Sequence, residues 1–204
     1  MKKLLIATTN PGKLNEIKSF LKDLPLELVS LTDLGISQRA TEDGVSFEEN
    51  SLKKANFYAQ ISHLPTIADD GGLEIDYLKG EPGVKSRRWI NGLEASDEEL
   101  INFTLKKLKG LPLKNRKAQL RAVLALVLPD GEKYLSEGKI RGIIAVKPYN
   151  SKRTAGFPFR SLLYLPGLKK FYNEDDLTEE ENLKYNHRGK ALVKLKKIIK
   201  KLLI

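Results

Sequence analysis

Apolar residues along this chain fall into short continuous or alternating runs, separated by longer stretches in which they recur every three or four positions. Residues 3–7, Lys-Leu-Leu-Ile-Ala, read as a buried strand, and Leu14, Ile17, Phe20 and Leu21 then follow at helical spacing from a start near Pro11. Asn before Pro is a helix-start signal, because proline at the first helical position has no N–H to satisfy and Asn caps the open turn. Residues 26–31 alternate as a strand, and residues 47–62 read as a helix that turns Leu52, Ala55, Tyr58 and Ala59 inward. A strand at 65–68 runs into Asp69-Asp70-Gly71-Gly72, read as a glycine-rich turn, and 73–75 form another short strand. A turn at 80–83 precedes a helix that Ser96 and Glu99 cap and that continues to about Leu108. Strands at 119–128 and 134–140 flank the hairpin signal Pro129-Asp130-Gly131. A run at 143–146 enters a loop from 147 to 158, and a C-terminal helix carries Leu192, Val193, Leu195, Ile198, Ile199, Leu202 and Leu203 as an apolar face wide enough to dock on a core. Helices interleaved with strands, without repeats or low-complexity linkers, predict an α/β fold, and the length fits a single domain over residues 1–204 or two intimately packed ones.

Composition narrows the class. With 204 residues and 41% apolar content the chain can bury one substantial core. It has no cysteine, which removes disulfides and thiolate ligands and fits a cytoplasmic protein. No apolar run approaches the ~18 residues of a membrane span, so no membrane partner is expected. The balance of 36 basic against 26 acidic residues, net +10, raises the question of a polyanionic partner. Much of the excess lies at 106–117 and on the last helix, at Lys190, Lys194, Lys196, Lys197, Lys200 and Lys201. A solvated helix face explains the latter, with a membrane-surface or polyanion contact as the alternative. Stacking aromatics are not interleaved with these lysines, so no stable nucleic-acid partner is expected.

Three segments carry candidate chemistry. Asp69 and Asp70 at the end of a buried strand would repel and desolvate unless a cation or a proton-transfer task compensates, which points to a divalent metal and an activated water. Gly71 and Gly72 allow positive φ or a close approach; a solvated turn is the alternative reading. At the N-terminus, Thr8, Thr9, Asn10, Pro11, Gly12 and Lys13 join a strand to a helix start, where free N–H groups and the helix dipole favour an anion and Lys13 adds a point charge. Lys13 as an ordinary surface lysine is the competing reading, since no Walker A loop is present. His187 and Arg188 open the last helix, an end that normally favours acids, and so suggest an acceptor-rich ligand.

Taken in order, Thr8-x-Asn10-x-x-Lys13-x-x-Glu16, Phe47-Glu48-Glu49-Asn50-Ser51-x-x-Lys54-Ala55, Ala68-Asp69-Asp70-x-Gly72-Leu73, Gly80-x-Pro82-Gly83-x-x-Ser86 and His187-Arg188-Gly189-x-Ala191-Leu192 form an ordered set. Glu137-Gly138-Lys139-Ile140-x-Gly142-Ile143-Ile144 adds to it. By these motifs the chain resembles, over nearly its whole length, the inosine triphosphate pyrophosphatase family of non-canonical purine NTP pyrophosphatases.

The resemblance implies a long twisted mixed sheet flanked by helices, with two lobes around a central nucleotide cleft. It also implies Mg²⁺-dependent hydrolysis of ITP-, dITP- or XTP-like triphosphates to a monophosphate and pyrophosphate. In that scheme Asp70 activates water and binds metal, Asp69 helps to hold charge, and Glu42 is the distal metal carboxylate. Lys13 and Lys54 neutralise phosphate charge. Glu16 and Glu49 orient the lysines, ligate metal through water, or are surface acids. The family also implies a homodimer, for which residues 83–91, with Arg87, Arg88 and Trp89, are a candidate interface. The sequence departs from the family at the base loop, where Phe157, Pro158, Phe159 and Arg160 stand for Phe-Gly-aromatic-Asp. The two rings are expected to clamp a base, while Arg160 puts donors where the family has an acceptor. Asn182 stands for a lysine, with Lys184 nearby, Asn186 for a serine and Gly71 for a serine. These changes leave open the same chemistry on a different modified nucleotide or a catalytically impaired nucleotide-binding paralogue, and the C-terminal lysine face adds a third reading, a basic nucleic-acid-associated protein.

Overall fold

A computed structural model describes residues 1–150, 153–173 and 176–204. Ser151 and Lys152, within the loop predicted at 147–158, lie outside the described residues. The main elements are β1 (Lys3–Ile6), α1 (Pro11–Leu21), β2 (Glu27–Ser30), α2 (Phe47–Ser62), β3 (Thr66–Ile75), α3 (Asp97–Lys107), β4 (Lys117–Val127) and β5 (Lys133–Ile144). They continue with β6 (Leu163–Leu165), β7 (Lys170–Phe171), α4 (Glu179–Tyr185) and α5 (His187–Leu203). The strands form one mixed sheet in the order β2-β1-β3-β4-β5-β6-β7, an α/β fold as the element pattern predicts.

The chain divides into two compact units. The first comprises Met1–Asp70, Ala122–Gly138 and His187–Ile204, and the second Gly71–Arg121 and Lys139–Asn186. The boundary falls inside β3, β4 and β5.

In the first unit β1 runs parallel to both β2 and β3, with Leu5 opposite Val29 and Thr66. Successive strand residues point to opposite faces, and the apolar residues sort accordingly. Leu4, Ile6, Ile67 and Leu124 pack with Ile17 and Leu21 of α1 and with Leu192, Leu195 and Ile199 of α5. Leu5, Ala7, Ala68 and Ala125 pack with Ala55, Tyr58 and Ala59 of α2. α1 starts as predicted, with Pro11 in the first turn and the Asn10 side chain accepting from the Lys13 N–H at 3.1 Å. Gly189 lets α5 approach α1, because a Cβ there would lie 2.3 Å from Phe20 Cζ. Two lysines of the basic helix also fasten it, Lys194 donating to Glu137 O at 2.9 Å and Lys196 to Phe20 O at 3.2 Å. Among the described residues no helix is long and apolar enough to cross a membrane.

In the second unit β5, β6 and β7 are antiparallel neighbours, with Ile143 opposite Tyr164 and Tyr164 opposite Phe171. Its core gathers Leu73, Ile75, Leu100, Ile101, Ile144 and Tyr172.

Two local expectations are corrected. The runs at 65–68 and 73–75 are one strand, β3, so Gly71 and Gly72 lie within a strand and make no turn. The reason lies opposite Gly72, where a Cβ would meet Ser86 Oγ at 2.0 Å and Gly83 O at 2.8 Å. Glycine serves close approach here rather than reversal of the chain. Ser86 Oγ in turn accepts from the Leu73 N–H at 3.0 Å and donates to Gly83 O at 2.7 Å. Likewise the runs at 134–140 and 143–146 belong to one strand that ends at Ile144.

Candidate active site

The acid pair lies inside β3, and strand alternation sends its members to opposite faces. Asp69 follows Ile67 toward α1 and α5. Its Oδ2 accepts from Arg188 Nε at 2.9 Å and lies 3.3 Å from Lys13 Nζ. Arg188 also pairs with Glu16 of α1, so Glu16, Arg188, Asp69 and Lys13 form an alternating row of charges. The Arg188 and Asp69 side chains are 2% and 1% exposed, too enclosed for either ion to persist alone.

Asp70 follows Ala68 toward α2. Asn50 Nδ2 donates to its Oδ2 at 3.0 Å, and Lys54 Nζ lies 3.8 Å from its Oδ1. Lys54 donates to Glu42 Oε2 at 3.0 Å, so one ammonium serves both acids. Asn50 is aimed from behind, its Oδ1 accepting from the Gly44 N–H at 2.8 Å. Any Cβ on Gly44 would stand 2.6 Å from that oxygen, which keeps the 42–46 segment close to α2. The compensation expected for two adjacent carboxylates comes from side-chain cations of this chain. They face opposite ways, each with fixed cationic partners.

These surroundings drive the two acids apart. Burial would raise the Asp69 carboxyl, but Lys13, Arg188 and Lys54 together outweigh it and hold Asp69 well below the usual carboxylate range. For Asp70 burial dominates and pushes the carboxyl up, against the opposing pull of Lys54 and Lys13 and the hydrogen bond from Asn50. Burial lowers Lys13, opposed by Asp69 and aided by Lys54 and Arg188. Lys54 resists its own burial because Asp70, Glu42 and Asp69 raise it. Arg188 is raised against its burial by Asp69 and Glu16. A pair of carboxyls so separated is the pattern of one permanent charge and one proton-accepting group.

The polar loop lies between β1 and α1, Thr8 Oγ1 accepting from the Asn10 N–H at 3.2 Å, with Thr9 and Pro11 exposed and Gly12 partly so. A helix N-terminus with a lysine in its first turn suits a phosphate. His187 is buried at the start of α5, and its carbonyl lies so close to β5 that a Cβ on Gly138 would stand 2.1 Å from it. The first unit contains Thr8 to Lys13, Glu42, Lys54, Asp69, His187 and Arg188, with Asp70 as its last residue in β3, and direct contacts join Lys13, Asp69 and Arg188 on one side and Glu42, Lys54 and Asp70 on the other.

The remaining predicted site residues belong to the second unit. Gly71 continues β3. Pro158, Phe159 and Arg160 form a short 3-10 turn ending at Ser161. Of the two rings expected to clamp a base, Phe159 is buried in the core with Leu73 and Leu100. Phe157 instead supports the Arg160 guanidinium, 4.0 Å from its ring centre, and the Tyr172 ring lies 5.0 Å from the same group. Asn182 sits on α4 and accepts from Asn186 Nδ2 at 3.3 Å. Trp89 packs edge-to-face on Phe103 at 5.2 Å within its own unit.

Asn50 and Glu16 acquire roles that sequence reasoning missed or left open. The signal for Asn50 was present, as a polar residue on the buried stripe of α2 that also carries Phe47, Ser51 and Tyr58. For a hard divalent cation the donor set fits in kind, since Asp70 and Glu42 are oxygen ligands that share a single ammonium. Among the described residues no group of three or more His, Cys, Asp or Glu is gathered.

Fold and site together define an α/β protein that sets two lysines, an arginine and a helix N-terminus around a divided pair of sheet carboxylates. The chain belongs to the Ham1 family, which it matches over residues 4–198. It is 42% identical to a dITP/XTP pyrophosphatase of Thermoanaerobacter pseudethanolicus, covering 98% of this chain and 97% of that protein. A dITP/XTP pyrophosphatase of Geobacter sulfurreducens is 40% identical over 96% of each. The solved structure of the Staphylococcus aureus Ham1 protein superposes with a TM-score of 0.81 at 32% identity, covering 98% of this chain and 99% of that one.

Proposed function

We propose that this protein is a Mg²⁺-dependent nucleoside triphosphate pyrophosphatase that removes non-canonical purine nucleotides of the dITP, ITP and XTP type from the precursor pool. The observation that carries the reading is the divided acid pair. Asp69 is locked as a permanent anion between Lys13 and Arg188, while Asp70, raised by burial, is suited to accept a proton. The α1 N-terminus, Lys13 and Lys54 hold the phosphate charge. Asp70 takes a proton from a water molecule as the oxygen of that water bonds to the α-phosphorus. The bond from that phosphorus to the bridging oxygen breaks, and pyrophosphate leaves with the electron pair. Asp70 and Glu42 would hold Mg²⁺, which as a Lewis acid neutralises phosphate charge and makes water more acidic.

The turn at 157–160 is the base-selecting segment in this reading. The Arg160 guanidinium against Phe157 favours altered base choice over lost chemistry, because the phosphate-side groups keep their partners. A cytoplasmic homodimer completes the reading, with residues 83–91 as its candidate contact; sedimentation as a monomer at micromolar concentration would reject the dimer. The central experiment measures pyrophosphate release from ITP, dITP, XTP, GTP and ATP, with and without Mg²⁺. Monophosphate and pyrophosphate in equal amounts from the non-canonical substrates are expected. Binding without turnover on every substrate would instead identify an impaired nucleotide-binding paralogue.

A further inference from the structure

The turn that carries Phe157 and Arg160 is fastened on its approach side to the first turn of α3. Gly156 has φ +82°, in the left-handed region that favours glycine, and its N–H donates to Asp97 Oδ2 at 2.7 Å. Asp97 is the first residue of α3, and its Oδ1 accepts from Arg87 at 2.5 Å. Glu98 beside it accepts from Arg153 at 2.6 Å. Two consecutive acids of one helix turn therefore hold the chain at 153 and 156, immediately before Phe157. Beyond that point the turn is held by Phe159 in the core, by the Tyr172 ring beside Arg160, and by main-chain bonds, Arg160 N–H donating to Phe157 O and Tyr149 N–H to Ser161 O at 2.8 Å, so the latch governs its approach side. α3 does not depend on this latch. A Ser96–Glu99 capping box starts it, and Leu100, Ile101 and Thr104 bury its inner face.

A carboxylate accepting from a main-chain N–H is a charge-assisted bond, stronger than a neutral one and sensitive to direction. Fixing Gly156 fixes the origin of the segment on which Phe157 and Arg160 stand. We infer that Asp97 is a positioning residue for base selection, setting the place of Phe157 and Arg160 and thereby the relative kcat/KM for purine triphosphates that differ at the base edge. The inference rests on reading 157–160 as the base-selecting turn. Lys13, Lys54 and Asp70 belong to the other unit, so handling of the triphosphate itself is expected to persist when the latch is removed.

Asp97→Ala removes the acceptor, and Asp97→Asn keeps a neutral oxygen in its place. Hydrogen exchange, read by mass spectrometry on a peptide spanning residues 153–160, should speed up in Asp97→Ala and recover in large part in Asp97→Asn. Across ITP, dITP, XTP, GTP and ATP, Asp97→Ala should change the ratios of kcat/KM by about tenfold, chiefly through KM, with kcat on the best substrate within a fewfold of the parent. Asp97→Asn should return the ratios toward those of the parent. Unchanged exchange at 153–160, or a uniform change across the panel, overturns the inference. A parent protein inert on every triphosphate would overturn the pyrophosphatase reading and base selection with it, while the exchange data would still report whether the latch exists.

Discussion

Replacing Asp70 by Asn removes a buried charge at nearly constant volume, and its position makes two consequences diverge. Turnover should fall by ~10²–10⁴-fold, the usual loss when a general base is removed. Stability, measured by thermal melting, should hold or rise, because burial disfavours this carboxylate and an Asn oxygen can still accept from Asn50. Asp69→Asn should do the reverse to stability, lowering it by about 3–5 kcal/mol in urea denaturation, since Arg188 and Lys13 lose their shared counter-ion. Equal melting behaviour of the two variants would contradict the division of roles. Arg160→Asp tests the base turn. If the guanidinium reads the base, the substitution shifts kcat/KM toward ITP and dITP by restoring an acceptor for N1–H, and a hydrogen-bond mismatch can be worth powers of ten. A uniform change over the substrate panel would mean that Arg160 acts only by supporting Phe157 and Tyr172.

At the scale of elements, the strands at 3–7, 26–31 and 119–128 and the four longer helices were legible because each buries a regular apolar face. β3 reads as two pieces in sequence for a physical reason. Two adjacent glycines signal conformational freedom, and the crowding by Ser86 that calls for a glycine is remote in sequence. α4 escapes notice because it buries none of its residues and so has no stripe to reveal it. The same blindness touched the site. Lys13, Lys54 and the acid pair stand out by type and order, but a strand broken after Ala68 hides the alternation that separates Asp69 from Asp70. Gly72→Ala measures the crowding directly. A Cβ 2.0 Å from Ser86 Oγ should destabilise the protein by about 1–3 kcal/mol, and adding Ser86→Gly should recover part of that loss in chemical denaturation. Full stability of the single variant would show that β3 yields more easily than its contacts imply.

For the molecule as a whole, the two acids give stability a pH dependence of mixed sign. Asp69 has a folded pKa below its unfolded value of about 3.9, so its contribution is present above that pH and is lost as pH falls further. Asp70 has a raised folded pKa, so its penalty grows as pH rises from about 4 through the folded value and is relieved on acidification. Melting curves taken from pH 3 to 7 should therefore show the deficit of Asp69→Asn narrowing below about pH 4, and any gain from Asp70→Asn shrinking toward the same end. The division of the chain has a further consequence for its birth on the ribosome. The first unit takes its last segment from α5, and the cation that holds Asp69 arrives with Arg188 at the start of that helix. Until α5 emerges, the nascent chain carries Asp69 without its guanidinium and the α1 side of the sheet without its cover. The core of the first unit and the row of charges around Asp69 are therefore completed together, once α5 is in place.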